Sequence, residues 1–594
     1  MKIKRKIDII LSQSTGRQLL WLFIITIVLL LIFFAIAYLF FDGFLWQDIV
    51  ALFLDPGCFG GKGNHDAFRL IVSLVGCFTF SALLISVFSN IIDNISESWH
   101  QGRVRYSHKN HIIILGSATH SINILKHCSL FPDVDIVVMT SADVELYRHL
   151  LERTELPADV RRRIVLYNGE RDNMDNLKSI HPELSSRIFI VGENDEVDHD
   201  NINLRACNLL QSICSNLSSD VFVTVVMDDY STMEVIARTN SVKNSFLHID
   251  FVNIGEYQAE KLIVNTDFMP ILTEECNDSA HFVIFGNSEM ARIVSLTIAH
   301  NAHYPNFTNY GKRTRIDFIS SDIEPMMRDF VSTYESLFTL CNWYFYNDGI
   351  VEAHKPSPEM GDYLDIEWHF YNYSVYSETI KTHYNEICND NHGATRIIVC
   401  EENDKMSLDT TLHLPQLLRC IPIAVYQQNS CDILSQAVTT GLYGDITIFG
   451  YANETDSDPL FLHRIERGVK VNYFYANRYN STPPKYELDA WYQISEAHKF
   501  SSIYAGNASV LRNKTTDDNT SDYILCEMEH RRWSVSCLIL GYRALSLADS
   551  AQAREDKDKF KELKRSYIHP DITPFDNLSE EEQSKDKLII SAMK

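Results

Sequence analysis

The chain has no surplus of basic residues: 53 Lys and Arg stand against 78 Asp and Glu, a formal net charge of -25. A surface that grips a phosphate backbone needs clustered cations, which argues against nucleic acid as a partner. None of the 13 cysteines pairs with another in a CxxC spacing. That removes the commonest pattern of a structural zinc site and gives no disulfide framework, so a reducing, cytosolic setting fits. No glycine turn completes GxGxxG, and pyrophosphate cradling is only weakly signalled. Long apolar runs are missing beyond the first hundred residues. A length of 594 residues exceeds one core and predicts three or four domains.

What is there begins with Leu19 to Phe41, LLWLFIITIVLLLIFFAIAYLFF. It is long enough to cross the roughly 30 Å hydrocarbon core as a helix. A signal peptide is the alternative, since MKIKRK precedes the run. Against it, the run is too long for a typical h-region and no small-residue cleavage site follows. A second apolar run covers Leu70 to Ile92. Lys2, Lys4, Arg5, Lys6 and Arg17 precede the pair, and Arg103, Arg105 and Lys109 follow it. The positive-inside rule then predicts a multi-pass hairpin in the cell membrane, surrounded by lipid, with both termini cytosolic.

The link between the runs, Asp42 to Arg69, reads DGFLWQDIVALFLDPGCFGGKGNHDAFR. Trp46 to Leu54 predicts a short helix, and Pro56 and Gly57 break it. Helix, short helix, glycine-rich loop, helix is the plan of a pore loop, where irregular backbone lines a water-filled path. The candidate pore-loop residues are Asp55, Gly61, Gly63, Asn64, His65 and Asp66. Backbone carbonyls there replace an ion's hydration shell, and rings of Asp55 and Asp66 favour a permeant cation. The alternative is a plain extracellular hairpin. One loop cannot enclose a pore, so a homotetramer is expected.

The cytosolic part repeats itself. HIIILGSATHSINIL (His111 to Leu125) and HFVIFGNSEMARIV (His281 to Val294) each read as buried strand, tight turn and helix. DIVVMTSADVE (Asp135 to Glu145) parallels RIDFISSDIE (Arg315 to Glu324), and RIFIVGEND (Arg187 to Asp195) parallels RIIVCEEND (Arg396 to Asp404). IVLYN (Ile164 to Asn168) resembles WHFYN (Trp368 to Asn372), and VFVTVVMDD (Val221 to Asp229) parallels IPIAVYQQN (Ile421 to Asn429). Two tandem α/β domains, each a doubly wound parallel sheet of Rossmann type, explain this alternation. Ligands of such sheets sit beyond the strand carboxyl ends at the switch point. The candidate nucleotide-binding residues are therefore Gly116, Ser117 and Asp143 in the first copy, and Gly286, Asn287 and Asp322 in the second. Turns without a ligand are the alternative for each. The run Glu193 to Asp200, ENDEVDHD, offers enough oxygens for a regulatory divalent cation. A solvated loop and helix start is the plainer reading, and no metal ligands are assigned.

Residues 19 to 260 resemble the Castor/Pollux-type channels, two-helix pores followed by tandem RCK (regulator of K+ conductance) domains. GNHDAF at Gly63 to Phe68, the second helix running into SNIIDNISESWHQGR, and HIIILG after a short linker carry the resemblance. It extends more loosely to about residue 480, and it implies a tetramer whose RCK domains form a cytosolic gating ring. The loop departs from the potassium pattern: it has no TVGYG and contains Lys62. Potassium and other cations both stay open. The last part resembles the ryanodine-receptor repeat (RyR) domain, through WYQISEAHKF (Trp491 to Phe500), EMEHRRWSVSCLILGYR (Glu527 to Arg543) and HPDITPFDNLSEEEQSKDK (His569 to Lys587). The resemblance implies a small helical domain that senses a nucleotide signal. Trp491, Trp533 and Tyr542 are either core aromatics or pocket walls. Arg531 and Arg532 either clamp a phosphate or pair with nearby acids. Arg532, with Glu529 three residues earlier to orient it, is the preferred anion-binding residue, so the ligand-binding candidates are Trp491, Glu529, Arg532, Trp533 and Tyr542.

The predicted domains are a pore module over 1–108, RCK-like copies over 109–275 and 276–482, and the RyR-type domain over 483–594. The expected function is a ligand-gated cation channel whose ring and C-terminal domain sense a small ligand. A nucleotide is the first candidate for that ligand and a divalent cation the second. A non-conducting membrane-anchored sensor is the alternative. A membrane-anchored dinucleotide enzyme is disfavoured, because neither copy has a substrate domain or an acid–base constellation beside it. No catalytic residues are assigned, and the chain is read as a non-enzyme.

Overall fold

The computed structural model describes residues 15–41, 46–55, 66–105, 107–194, 196–217, 219–238, 246–389, 393–429, 432–440, 444–450 and 462–593. The chain divides into two compact units: residues 1–106 with 143–148, and residues 107–142 with 149–594.

The first unit holds α1 (Thr15–Phe40), α2 (Trp46–Leu54) and α3 (Asp66–His100). Ile49, Leu52 and Phe53 fall on one face of α2, the i, i+3, i+4 spacing of an amphipathic helix. They are buried against Ala37 of α1 and Val72 of α3. A Cβ on Gly76 would stand 2.1 Å from the Phe53 carbonyl oxygen. Only a residue without a side chain lets α3 pass so close to the end of α2. On α1, Phe23, Ile25, Val28, Leu31 and Tyr38 are exposed, an apolar face larger than water-facing proteins keep. Its window Phe23–Phe40, 18 residues with mean hydropathy 3.0, is long and apolar enough to cross a membrane. Among the described residues no other helix meets that test by length and composition; the second apolar run lies inside α3. Asp55 follows α2 and Asp66 opens α3. Gly61, Gly63, Asn64 and His65 lie outside the described residues.

The second unit contains two sheets. β1 (Ile112–Leu115), β2 (Ile136–Thr140), β3 (Ile164–Asn168), β4 (Arg187–Ile190), β5 (Val221–Met227) and β6 (Leu247–Asn253) form a parallel sheet in the order β3-β2-β1-β4-β5-β6. β1 and β2 are buried along their whole length. Covering on both faces is why such strands read as continuous apolar runs rather than alternating ones. β7 (His281–Phe285), β8 (Thr314–Ser320), β9 (Asn342–Asn347), β10 (Ile350–His354), β11 (Ile366–Asn372), β12 (Thr395–Val399), β13 (Ile423–Gln427) and β14 (Ile446–Gly450) form the second, in the order β10-β9-β11-β8-β7-β12-β13-β14. Without β9 and β10 its order repeats the first. Those two strands are an inserted edge, joined antiparallel through Asp348 and Gly349 at φ 45° and 81°, the positive pair a tight hairpin turn requires.

α4 (Thr119–His127) follows β1, α5 (Ile254–Asn265) follows β6, and α6 (Glu289–Asn301) follows β7. α5 leaves the first sheet and sends Ala259, Leu262 and Ile263 into one core with Phe282, Ile284 and Val294 of the second copy. The longest C-terminal helices are α7 (Leu462–Tyr479), α8 (Glu496–Thr515), α9 (Asp522–Ile539) and α10 (Glu580–Ala592). Val469, Phe500, Ile503 and Tyr504 pack on the first sheet with Ile188, Val223 and Val225. Val535, Leu538 and Ile539 of α9 join the core of the second. The C-terminal helices thus share a core with each sheet.

Candidate functional site

The turn after β1 is pinned by backbone contact. Gly116 has φ 109°, and a Cβ there would lie 2.0 Å from the Gly192 carbonyl oxygen in the turn after β4. Beside it the Glu193 carboxylate accepts from the Ser117 N–H at 2.9 Å, the Ser117 hydroxyl, the Thr140 hydroxyl at 2.8 Å and the Ser141 N–H at 3.0 Å. Hydroxyl and N–H donors converging between the first two strands are what a phosphate would use; here the chain's own carboxylate takes them. Asp143 caps its helix, its Oδ1 accepting from Glu145 and Leu146 N–H at 2.8 and 3.2 Å.

The acid-rich run is also spent internally. Arg171 binds Glu196, and His199 joins the Val191 carbonyl at 2.9 Å and Asp200 at 2.9 Å. Asp200 in turn accepts from the Asp228 and Asp229 N–H groups at 2.8 and 3.0 Å. Burial opposes charge on both partners. The Asp200 bond and the Asp228 charge nevertheless lift His199 above the usual imidazole range, and bonds from His199 and the two N–H groups hold Asp200 below the usual carboxylate range. Asp195 lies outside the described residues.

Glu193→Ala is expected to cost about 1–3 kcal/mol by leaving the turn's donors unpaired, and an anion in solution should restore it. Thermal unfolding in phosphate against chloride checks this. The stabilisation by phosphate should be larger in the variant than in the parent; equal responses would mean that the turn cannot accept an external anion.

In the second copy Gly286 has φ 114°, with a Cβ position 2.2 Å from the Cys400 carbonyl oxygen. Asn287 and Asp322 are brought together, but through the main chain: Asn287 Nδ2 donates to the Asp322 carbonyl at 3.1 Å. Ser288 donates to the Cys400 carbonyl at 2.7 Å and caps α6 by accepting from the Ala291 N–H. Glu402, in register with Glu193, is exposed.

A cavity of about 270 Å³ opens among the C-terminal helices. Trp533, Tyr542, His530 and His569 line it, with Lys564, Lys585, Asp571, Asp586 and Asn472. The Trp533 ring meets His569 edge-on at 4.8 Å and stacks with His530 at 5.5 Å. Asp571 Oδ1 and Asn472 Nδ2 are buried without a hydrogen-bond partner, and such orphaned groups call for a ligand or water. Burial pushes Asp571 up to about 6, moves Asp586 upward, and drives His569 well below its ordinary value. Burial works against the Lys585 charge, but its bond to Glu582 at 2.5 Å prevails and raises its pKa.

Of the sequence candidates, Trp533 and Tyr542 line this cavity; Trp491, Glu529 and Arg532 do not. Trp491 is fully buried and donates from Nε1 to Asp250 at 3.0 Å. Arg532 is 1% exposed, with Nη2 and Nε donating to Glu529 Oε1 at 2.6 and 2.9 Å. Glu529 Oε2 also receives Arg512 at 3.3 Å, and Arg531 pairs with Asp365 and Glu527, each at 3.0 Å. His530, His569, Asp571 and Lys585 were not among the sequence candidates, although all stand in two of the three stretches that carry the RyR resemblance. Their signal was a density of titratable side chains around aromatics.

No family model matches the chain, and no curated protein matches it. Several solved structures are similar. The GsuK channel is 14% identical, with 76% of this chain and 98% of that chain covered at a TM-score of 0.36. GsuK bound to ADP is 14% identical, with 73% and 96% covered at a TM-score of 0.34. The human SLO3 gating ring is 9% identical, with 57% and 80% covered at a TM-score of 0.33. With TM-scores below 0.5, these likenesses decide nothing about the site, which rests on the residues above.

Proposed function

We propose that the chain is a subunit of a ligand-gated cation channel and that its C-terminal cavity takes a nucleotide-class ligand. The observation that carries the ligand class is the cavity's composition. Trp533, Tyr542 and His569 offer faces for a base, and stacking suits any aromatic heterocycle. Asp571 and Asn472 offer an unused acceptor and donor for the base edge. Lys564 and Lys585 supply the cations for a phosphate. At about 270 Å³ the space lies near the lower end of small-molecule sites and suits one nucleotide unit.

The RCK and RyR resemblances support the channel reading, as does the packing of α2 against α1 and α3. In this reading α1 and α3 both cross the cell membrane, four subunits surround the pore, and Asp55 and Asp66 form its acidic rings. Because the C-terminal helices share cores with both sheets, a ligand that draws α9 and α10 together biases both RCK-like copies. It shifts the gate only by its differential affinity for the two ring shapes. No catalytic step is proposed.

Calorimetric titration of the detergent-solubilised full chain with mono- and cyclic dinucleotides tests the ligand. Heat is expected from at least one, with affinity at least tenfold lower in Trp533→Ala and the fold kept by circular dichroism. Silence across the panel would refute the ligand class. Bilayer recording tests conduction: cation current should fall in Asp66→Asn, most at low ionic strength where screening is weak. Binding without current would favour a membrane-anchored sensor.

A further inference from the structure

At the amino end of β7, away from the Gly286 turn, a buried charge stands where the fold does not ask for one. Asp317 lies inside β8, opposite Val283 of β7, and is 0% exposed. The first copy has Val137 at this position, opposite Ile113 of β1. A valine there shows that the sheet itself needs no carboxylate, and a buried charge is costly without specific partners. Two imidazoles converge on it. His281 Nε2 and His383 Nε2 each lie 2.8 Å from the same Asp317 Oδ2. The first-copy counterpart of His281, His111, instead points its Nε2 at the Ile180 carbonyl, 2.9 Å away.

We infer that His281, Asp317 and His383 form a binding site for a late first-row divalent cation of the zinc type. Two imidazole nitrogens and one carboxylate oxygen are the donor set such ions take. The three ligand atoms lie within 4.8 Å of one another. Ligand atoms around a tetrahedral ion with bonds of about 2.0–2.1 Å stand about 3.3 Å apart, so entry requires the His–Asp contacts to open by about 0.5 Å. Three protein ligands leave a fourth position. His281 and His383 both line a cavity of about 670 Å³, which supplies access and room for water or a small anion there. Glu386 Oε2 stands 3.5 Å from His383 Nδ1, the outer carboxylate that commonly orients a ligating histidine. Arg315 is the opposing feature: its Nε donates to Asp317 Oδ1 at 2.7 Å. Its Nη2 also donates to Asp317 Oδ2 at 3.1 Å, so the guanidinium shares with the imidazoles the oxygen an ion would take, and entry must displace that bond. The cavity lining sets Glu367, Glu386 and Asp278 against the cations Arg315 and Lys312. The ion would tie β7, β8 and the helix Glu378–Asn389 together, a second regulatory input separate from the nucleotide cavity.

The full-length detergent-solubilised protein, loaded with zinc sulfate and desalted, should retain about one zinc per chain more than His281→Ala or His383→Ala treated alike. The difference is read because the chain's 13 cysteines can also hold zinc. Loading with cobalt should give the visible absorption of a low-coordinate His-ligated ion, lost in both variants. If alanine disturbs folding, as judged by circular dichroism, His383→Gln keeps the volume and should lose the metal with the fold intact. Equal zinc content in parent and His383→Gln, or no cobalt spectrum in the parent, overturns the site.

Discussion

Arg464→Ala is expected to cost about 3–5 kcal/mol of stability, the usual penalty for breaking a buried ion pair from one side. Arg464 of α7 reaches two carboxylates on α5, Glu256 and, at 2.6 Å, Glu260. The Tyr504 hydroxyl donates to Glu256 at 2.8 Å and Asn507 Nδ2 donates to Glu260 at 3.0 Å. All of these groups are buried, so without the guanidinium two acids face each other in a poorly solvated junction between the first copy and the C-terminal helices. Replacing the guanidinium and both acids together (Arg464→Met, Glu256→Gln, Glu260→Gln) should recover most of the loss. Urea unfolding of the three forms decides it; a triple variant as weak as Arg464→Ala would mean that packing rather than charge dominates.

The same cluster carries a pH signature. Burial pushes Glu260 up to about 7, against the lowering effect of Arg464, from an ordinary value of 4.5. The folded state therefore holds a proton that the unfolded chain has released. The resulting stability is fully present below about pH 4.5 and is lost as pH rises through about 7. Glu260→Gln should flatten the decline in melting temperature across that window. A variant with the parent's slope would place the proton elsewhere.

Arg532→Ala should likewise destabilise the C-terminal helices, by about 3 kcal/mol or more. It would remove the main cation from Glu529, a 2%-exposed carboxylate, and leave only Arg512, whose own charge burial already disfavours. Lys585→Ala, at the cavity wall, should leave the melting temperature nearly unchanged and weaken a phosphate-bearing ligand about tenfold or more, the worth of one charge-assisted bond. Calorimetry beside thermal unfolding separates the two. If Arg532→Ala melted like the parent yet abolished binding, the anion site would lie at Arg532 after all.

Much of the fold was legible because it rests on short-range patterning. Continuous apolar strands such as Ile112–Leu115 are buried on both faces, and their spacing around glycine turns announced two doubly wound sheets. The inserted hairpin β9–β10 was not legible from the repeat, because it has no partner in the first copy. Its Asp348-Gly349 turn was its one local signal.

The amino-acid sequence by itself determined the elements: an apolar helix over Leu19–Phe41, two Rossmann-type copies, and a helical C-terminal part rich in aromatics and charge. Hydrophobic period and glycine placement act within a few residues, so they survive without knowledge of neighbours. Only the tertiary structure decided what the polar groups do. It set Glu193 into the turn after β1, buried Arg532 against Glu529, and gathered Trp533, His569, Asp571 and Lys585 around one cavity. The pairing of a charge depends on which residue, up to hundreds of positions away, is folded beside it, and on how much water that contact excludes.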